Sequence, residues 1–118
     1  MAVDAKYRSS DIFLCEVQCE ASGTPFKIFD SDAPAKFRVL DMFGYMTGAG
    51  ATSDTVKLTD GSSDIVTAVD VSAYSDKDII RAAAIDDAKN EIAAGGSLHV
   101  VTASGALCKV FVLCEWTD

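Results

Sequence analysis

"DIFLCEVQCE", residues 11 to 20, alternates with a period of two. Phe13, Cys15, Val17 and Cys19 fall on one side of an extended chain, and Glu16, Gln18 and Glu20 on the other. That is the pattern of a strand with one dry face. The far end of the chain repeats it. In "ALCKVFVLCEW", residues 106–116, one face carries Cys108, Val110, Val112, Cys114 and Trp116, and the opposite face carries Lys109, Phe111, Leu113 and Glu115. Phe111 and Leu113 therefore sit on the side that a free monomer gives to solvent. A second buried surface, such as a subunit interface, accounts for them.

Between these two stretches the punctuation is frequent: "ASGTP" at 21–25, "DSDAP" at 30–34, "TGAGATSD" at 47–54, "TDGSSD" at 59–64, "GG" at 95–96 and "ASG" at 103–105. Turn residues recurring every eight to twelve positions or so, with short apolar alternations between them, mark a sandwich or barrel. The reading is an all-β, antiparallel β-sandwich of about eight strands near 11–20, 25–30, 36–47, 54–60, 65–71, 78–84, 97–103 and 107–116. Residues 11–118 form its single domain, and residues 1–10 are an extended N-terminal arm. One segment pulls the other way. "SDKDIIRAAAIDDAKNEIAAGG", residues 75–96, is alanine-rich, with Ser75 placed to cap a helix, Asp78 three residues on and Gly95 placed to end it. Tertiary context overrides alanine propensity, so the expectation is a strand at 78–84 followed by a turn or short helix at 85–91.

The chain has 118 residues and a formal charge of −8, from 18 acids against 10 bases. Its bases are scattered singly, which argues against a nucleic-acid surface built on clustered lysine and arginine. No apolar run approaches the ~18 residues of a membrane span. The first residues, "MAVDAKYRSSD", lack the apolar core of a secretory signal, so the expectation is synthesis and retention in the cytosol.

Four cysteines invite a metal or redox reading. Cys15 and Cys19 are spaced C-x3-C and Cys108 and Cys114 C-x5-C, neither of which matches the C-x2-C knuckle of structural zinc. Strand positions four apart lie ~13 Å apart, too far to share a metal or a disulfide. They are read as buried free thiols, with a bridge between the first and last strands left open if those strands are neighbours. His99, the sole histidine, shares a face with Val101 and Cys108 if residues 97–110 turn on Ser104 and Gly105 alone, and points outward if the turn has three residues. It has no orienting acid and no oxyanion donors, so it is read as structural.

The acids and glycines are read as turn chemistry. "DSDAPAKFRVLD" sets Asp30, Asp32 and Asp41 near calcium-loop positions, but Pro34 and Ala35 occupy the fifth ligand and the obligatory glycine. Asp86, Asp87 and Glu91 lack a partner base, and Asp60-Gly61 is a turn dipeptide. "TGAGATSD" lacks the third glycine and the lysine of a phosphate cradle. The expectation is no catalytic residue, no metal and no cofactor.

The downstream half, residues 47–116, resembles the cement or decoration proteins of tailed-bacteriophage heads. The resemblance rests on "TGAGATSDTVKLTDG", "SDKDIIRAAAIDDAKNEIAAGGSLHVVT" and "ALCKVFVLCEW". It implies an eight-stranded β-jellyroll, a homotrimer, a virion location on the capsid exterior after assembly in the host cytoplasm, and the major capsid protein as partner. Nucleic acid and membrane are not implied. Tyr7 and Arg8 in the arm, with Phe111 and Leu113, are the candidate interface residues.

Two rival readings share the architecture. A carbohydrate- or host-surface-binding module of a head fibre or tail appendage needs an exposed aromatic platform, for which Tyr7, Tyr45, Tyr74 and Trp116 are the candidates. A cupin-like enzyme needs several histidines on one metal, and one histidine does not supply them in cis.

Overall fold

The computed structural model describes residues 11–117. The two alternating stretches become neighbours. β1 (Ile12–Cys19) and β9 (Cys108–Trp116) pair antiparallel over their shared length, from Ile12 opposite Glu115 to Cys19 opposite Cys108. Between them in sequence lie β2 (Phe26–Phe29), β3 (Phe37–Met46), β4 (Thr55–Thr59), β5 (Asp64–Asp70), β6 (Ile79–Arg81), β7 (Glu91–Ile92) and β8 (Leu98–Ala103).

One sheet has the order β1-β9-β3-β6, with the two-residue β7 paired to the other end of β3; the second has the order β2-β8-β4-β5. All pairings are antiparallel. The pairs β1·β9, β2·β8, β3·β6 and β4·β5, split between two facing sheets, are those of a jellyroll, in which the chain repeatedly crosses from sheet to sheet. The expected antiparallel β-sandwich is the fold. A ninth, very short strand joins the eight.

The core lies between the sheets. Phe37, Val39, Met42 and Met46 of β3, Val56 and Leu58 of β4, Ile65 and Val66 of β5, Leu98 and Val100 of β8, and Cys108, Val110, Val112 and Cys114 of β9 are buried. At one end, Phe13 stacks on Trp116 with centroids 4.2 Å apart, and Phe37 meets both rings edge-on. Phe29 from the opposite sheet closes the cluster, 5.4 Å from Phe37. Such aromatic pairs contribute ~0.5–1.5 kcal/mol each beyond their burial.

β3 holds its inward face only by changing phase. Phe37 and Val39 point in, then Met42, Gly44 and Met46 do, because a bulge sets Val39 opposite Cys114 but Asp41 opposite Leu113. The extra residue turns Leu40 and Asp41 both outward. Gly44 is a second special position. A Cβ there would overlap the Lys109 carbonyl oxygen, so only glycine lets β3 and β9 approach as they do.

The alanine-rich segment contains no helix. The expected helix start is a closed turn: Ser75 N donates to the Asp78 carboxylate (2.8 Å) and Asp78 N to the Ser75 carbonyl (3.1 Å). Lys77, with φ of 74°, leaves helical geometry altogether. The neighbouring amides are claimed by β3, with Lys77 N donating to the Met46 carbonyl and Met46 N to that of Asp78. The strand expected at 78–84 is shorter, Ile79–Arg81, and Ala82 onward forms a loop that reaches the other sheet through Asp86 N donating to the Ile65 carbonyl. Of the turn or short helix expected at 85–91, the turn is what forms, with Ala88 N bonded to the Asp86 side chain and Lys89 N to its carbonyl. An isolated helix of this length is marginal, and burial of Ile80 and Ile92 decides the contest.

Candidate functional surface

The outward positions of β1, β9, β3 and β6 make one continuous face. Register sets them in rows: Leu14 beside Leu113 and Asp41; Glu16 beside Phe111, Phe43 and Arg81; Gln18 beside Lys109, Tyr45 and Ile79. Phe111 is the hub, stacked on Phe43 at 5.5 Å and tilted against Tyr45 at 6.4 Å. Ile79 is 57% exposed, Leu14 53%, Ile12 43% and Leu40 37%, while Phe43, Tyr45, Phe111 and Leu113 are half-buried. Large apolar side chains contiguous on one sheet face are what a soluble domain ordinarily covers.

Ion pairs frame this face. Arg38 holds Glu115 at 2.7 Å at one end, and Lys109 bridges to Glu16 at the other, with its ammonium 5.9 Å from the Phe111 ring. The Glu16 carboxylate holds the Lys109 ammonium above the usual lysine range. An apolar centre with a charged rim is the anatomy of a protein–protein contact.

Alternation in the sequence puts Phe111 and Leu113 on this outer side, and there they lie. Their companions Leu14, Phe43, Tyr45 and Ile79 come from strands whose adjacency no local pattern states. Leu14 is visible among the outward positions of β1, the one sequence sign that the face continues. Tyr7 and Arg8 lie outside the described residues.

The inward face of the β1·β9 ladder gathers all four cysteines, free and unbridged. Cys19 stands directly opposite Cys108. Cys15 and Cys114 stand diagonally, since Cys15 faces Val112 and Cys114 faces Phe13. Cys114 Sγ donates to the Val112 carbonyl at 3.9 Å, and within each pair the two thiols lie in mutual contact. That contact lowers the first ionisation, at Cys108 and at Cys15, and drives the partner thiols Cys19 and Cys114 strongly upward, with burial adding to the rise.

His99 is far from these thiols in the fold. β8 and β9 belong to different sheets, so the hairpin expected at 104–105 does not form, and neither register considered for His99 against the cysteine face applies. Leu98, Val100 and Thr102 point into the core. His99 points outward from the second sheet, where it lines an open depression of about 280 Å³ with Lys57, Thr59, Ser62 and Asp64. Lys57 is paired with Asp64 at 3.2 Å, and His99 Nε2 lies 3.8 Å from Asp30. The turn from Ser104 to Gly105 is a sheet-to-sheet corner, with φ of 60° and 78°.

The remaining acids hold turns. Asp60 Oδ1 accepts from Ser62 N and Ser63 N, Asp86 caps its own turn, and Glu91 pairs with Lys36 at 3.4 Å. Asp30 and Asp32 bond within their loop while Asp41 sits on the β3 bulge. Among the described residues no three histidine, cysteine or acidic side chains form a metal-holding group. In "TGAGATSD" the buried Asp54 accepts from Ala51 N at 2.8 Å, which closes the loop on itself. At 95–96, Gly95 (φ 79°) and Gly96 tie the entry of β8 to Ala33 by two backbone bonds.

The aromatic candidates among the described residues do not converge. Tyr45 belongs to the outer face just described, Tyr74 packs against the core, and Trp116 is stacked on Phe13 inside the end of the sandwich. No protein-family model, no curated protein and no solved structure matches this chain.

Proposed function

We propose that this protein is a non-enzymatic structural component of a virion, a cement or decoration protein that binds the outside of a phage capsid and stabilises it. The observation that carries the reading is the apolar outer face of the β1-β9-β3-β6 sheet, centred on Phe111, Leu113 and Leu14. Its occupant is a second copy of the chain. The charged rim has both signs, Arg38 and Lys109 against Glu115 and Glu16, so a neighbouring copy meets complementary charge rather than the repulsion expected from a net −8.

The oligomer is a homotrimer and its partner is the major capsid protein. A trimer bridging adjacent capsomers adds contacts that expansion of a DNA-filled shell must break. Three linked modest contacts hold far more tightly than one, because each second engagement is intramolecular. Tyr7 and Arg8 of the N-terminal arm are further contact candidates.

Cosedimentation with DNA-free heads of its own phage tests this reading. Saturable pelleting at a fixed ratio of protein to capsid subunit is expected. Protein that stays in the supernatant, or that is missing from purified virions, overturns it.

A further inference from the structure

We propose that Cys19 and Cys108 are a modification site: a buried dithiol that closes to a cross-strand disulfide by exchange with a small-molecule disulfide such as oxidised glutathione. It rests on register, and it stands whether or not the virion reading does. Cys19 and Cys108 face each other across the β1·β9 ladder, both fully buried on its inward side. Directly opposed antiparallel residues have Cα atoms ~4.5–5.5 Å apart, inside the ~4.4–6.8 Å window of an unstrained disulfide. The bond therefore forms without moving either strand.

The second pair lacks this geometry. Cys15 and Cys114 are diagonal neighbours, and diagonal Cα atoms lie ~7–8 Å apart, beyond what a disulfide spans without backbone movement. Those thiols stay reduced. The chain thus holds one closable pair and one that is not.

Access comes from position. Cys19 is the last residue of β1 and Cys108 the first of β9, so their rung is the end of the ladder, where strands fray before they part elsewhere. Cys19 and Cys108 share the rung, so either thiolate begins the exchange, and the course is the same written from Cys108. Its sulfur attacks the small disulfide, giving a mixed disulfide and releasing one small thiol. The Cys19 thiolate then attacks Cys108 Sγ and expels the second. The protein loses two protons and two electrons, and the two released thiols carry them away. The bridge ties the first strand to the last and closes nearly the whole domain into a loop.

The test refolds the full-length protein from urea in a glutathione buffer rich in the oxidised form, so burial does not block exchange, and maps non-reduced tryptic peptides. Trypsin leaves Cys15 and Cys19 together in 9–27, Cys108 in 90–109 and Cys114 in 110–118. The expected result is 9–27 joined to 90–109, two of the four thiols lost, and a thermal midpoint raised by about 10 °C, reversed by dithiothreitol. The link persists in Cys15→Ala and Cys114→Ala and disappears in Cys19→Ala. Four titratable thiols after refolding, a link to 110–118, or glutathione adducts with no internal link overturns the proposal.

Discussion

Gly44 shows how much one position constrains this sandwich. It lies in the middle of β3 opposite Val110, and a methyl group there collides with the backbone of β9 rather than with a side chain that can turn away. Gly44→Ala must push apart the two most extensively paired strands. The expected loss is about 3 kcal/mol, in the range of forced core overpacking, read as a lower urea midpoint at unchanged slope. A midpoint within experimental scatter of the parent contradicts the close approach. Nothing in "LDMFGYMT" announces this requirement, because a glycine in a strand pattern reports equally on bulges and on tight contacts. The cysteines were legible in part. Their inward direction followed from alternation, whereas the opposition of Cys19 to Cys108 follows from β1·β9 pairing, a long-range property of the fold.

At the scale of elements, seven of the eight expected strands lie within one residue of those observed, and only residues 75–96 depart, with a shorter β6 and the added β7. β1 and β9 place four and five inward residues at spacing two, and β3 places five with one break in phase. The phase change in β3 was hidden, since a bulge at Leu40 and Asp41 looks locally like two more polar-side positions. Residues 75–96 were ambiguous because local propensity and tertiary pairing disagree there. Lys77 separates the two readings. In the turn it has φ of 74°, a conformation that costs a side-chain-bearing residue ~1 kcal/mol and glycine nothing. Lys77→Gly is therefore expected to stabilise the protein by about 1 kcal/mol in chemical denaturation. A helix over the same residues would be weakened by a similar amount, so destabilisation contradicts the turn. The hairpin expected at Ser104-Gly105 failed for a related reason. A two-residue corner between strands looks the same in sequence whether the chain returns in its own sheet or crosses to the facing one.

At the scale of the molecule, the two sheets differ in what they show to the outside. The outward side of the β2-β8-β4-β5 sheet includes Lys27, Lys57, Asp64 and His99, with Lys57 paired to Asp64 and Lys27 to Asp30. The β1-β9-β3-β6 sheet presents Leu14, Leu113, Phe111, Phe43, Tyr45 and Ile79 inside a charged rim. Phe111 and Leu113 were singled out from sequence as interface residues, Leu14 joins them from β1, and Phe43, Tyr45 and Ile79 assemble only when β3 and β6 take their places beside β9. Under the function proposed above, this face joins copies of the chain, and an adhesive that works by repeated weak contacts needs that joining before it needs any chemistry.

The most direct test is the solution mass by light scattering of the parent protein and of Leu14→Asp, a change at a side chain already 53% exposed that leaves the core untouched. The parent is expected at three times the 12.4 kDa chain mass at micromolar concentration, and the variant at a single chain mass with an unaltered fold by circular dichroism. A parent that runs as one chain, or a variant that stays trimeric with Phe111→Asp added, contradicts the claim that this face is where the molecule adheres.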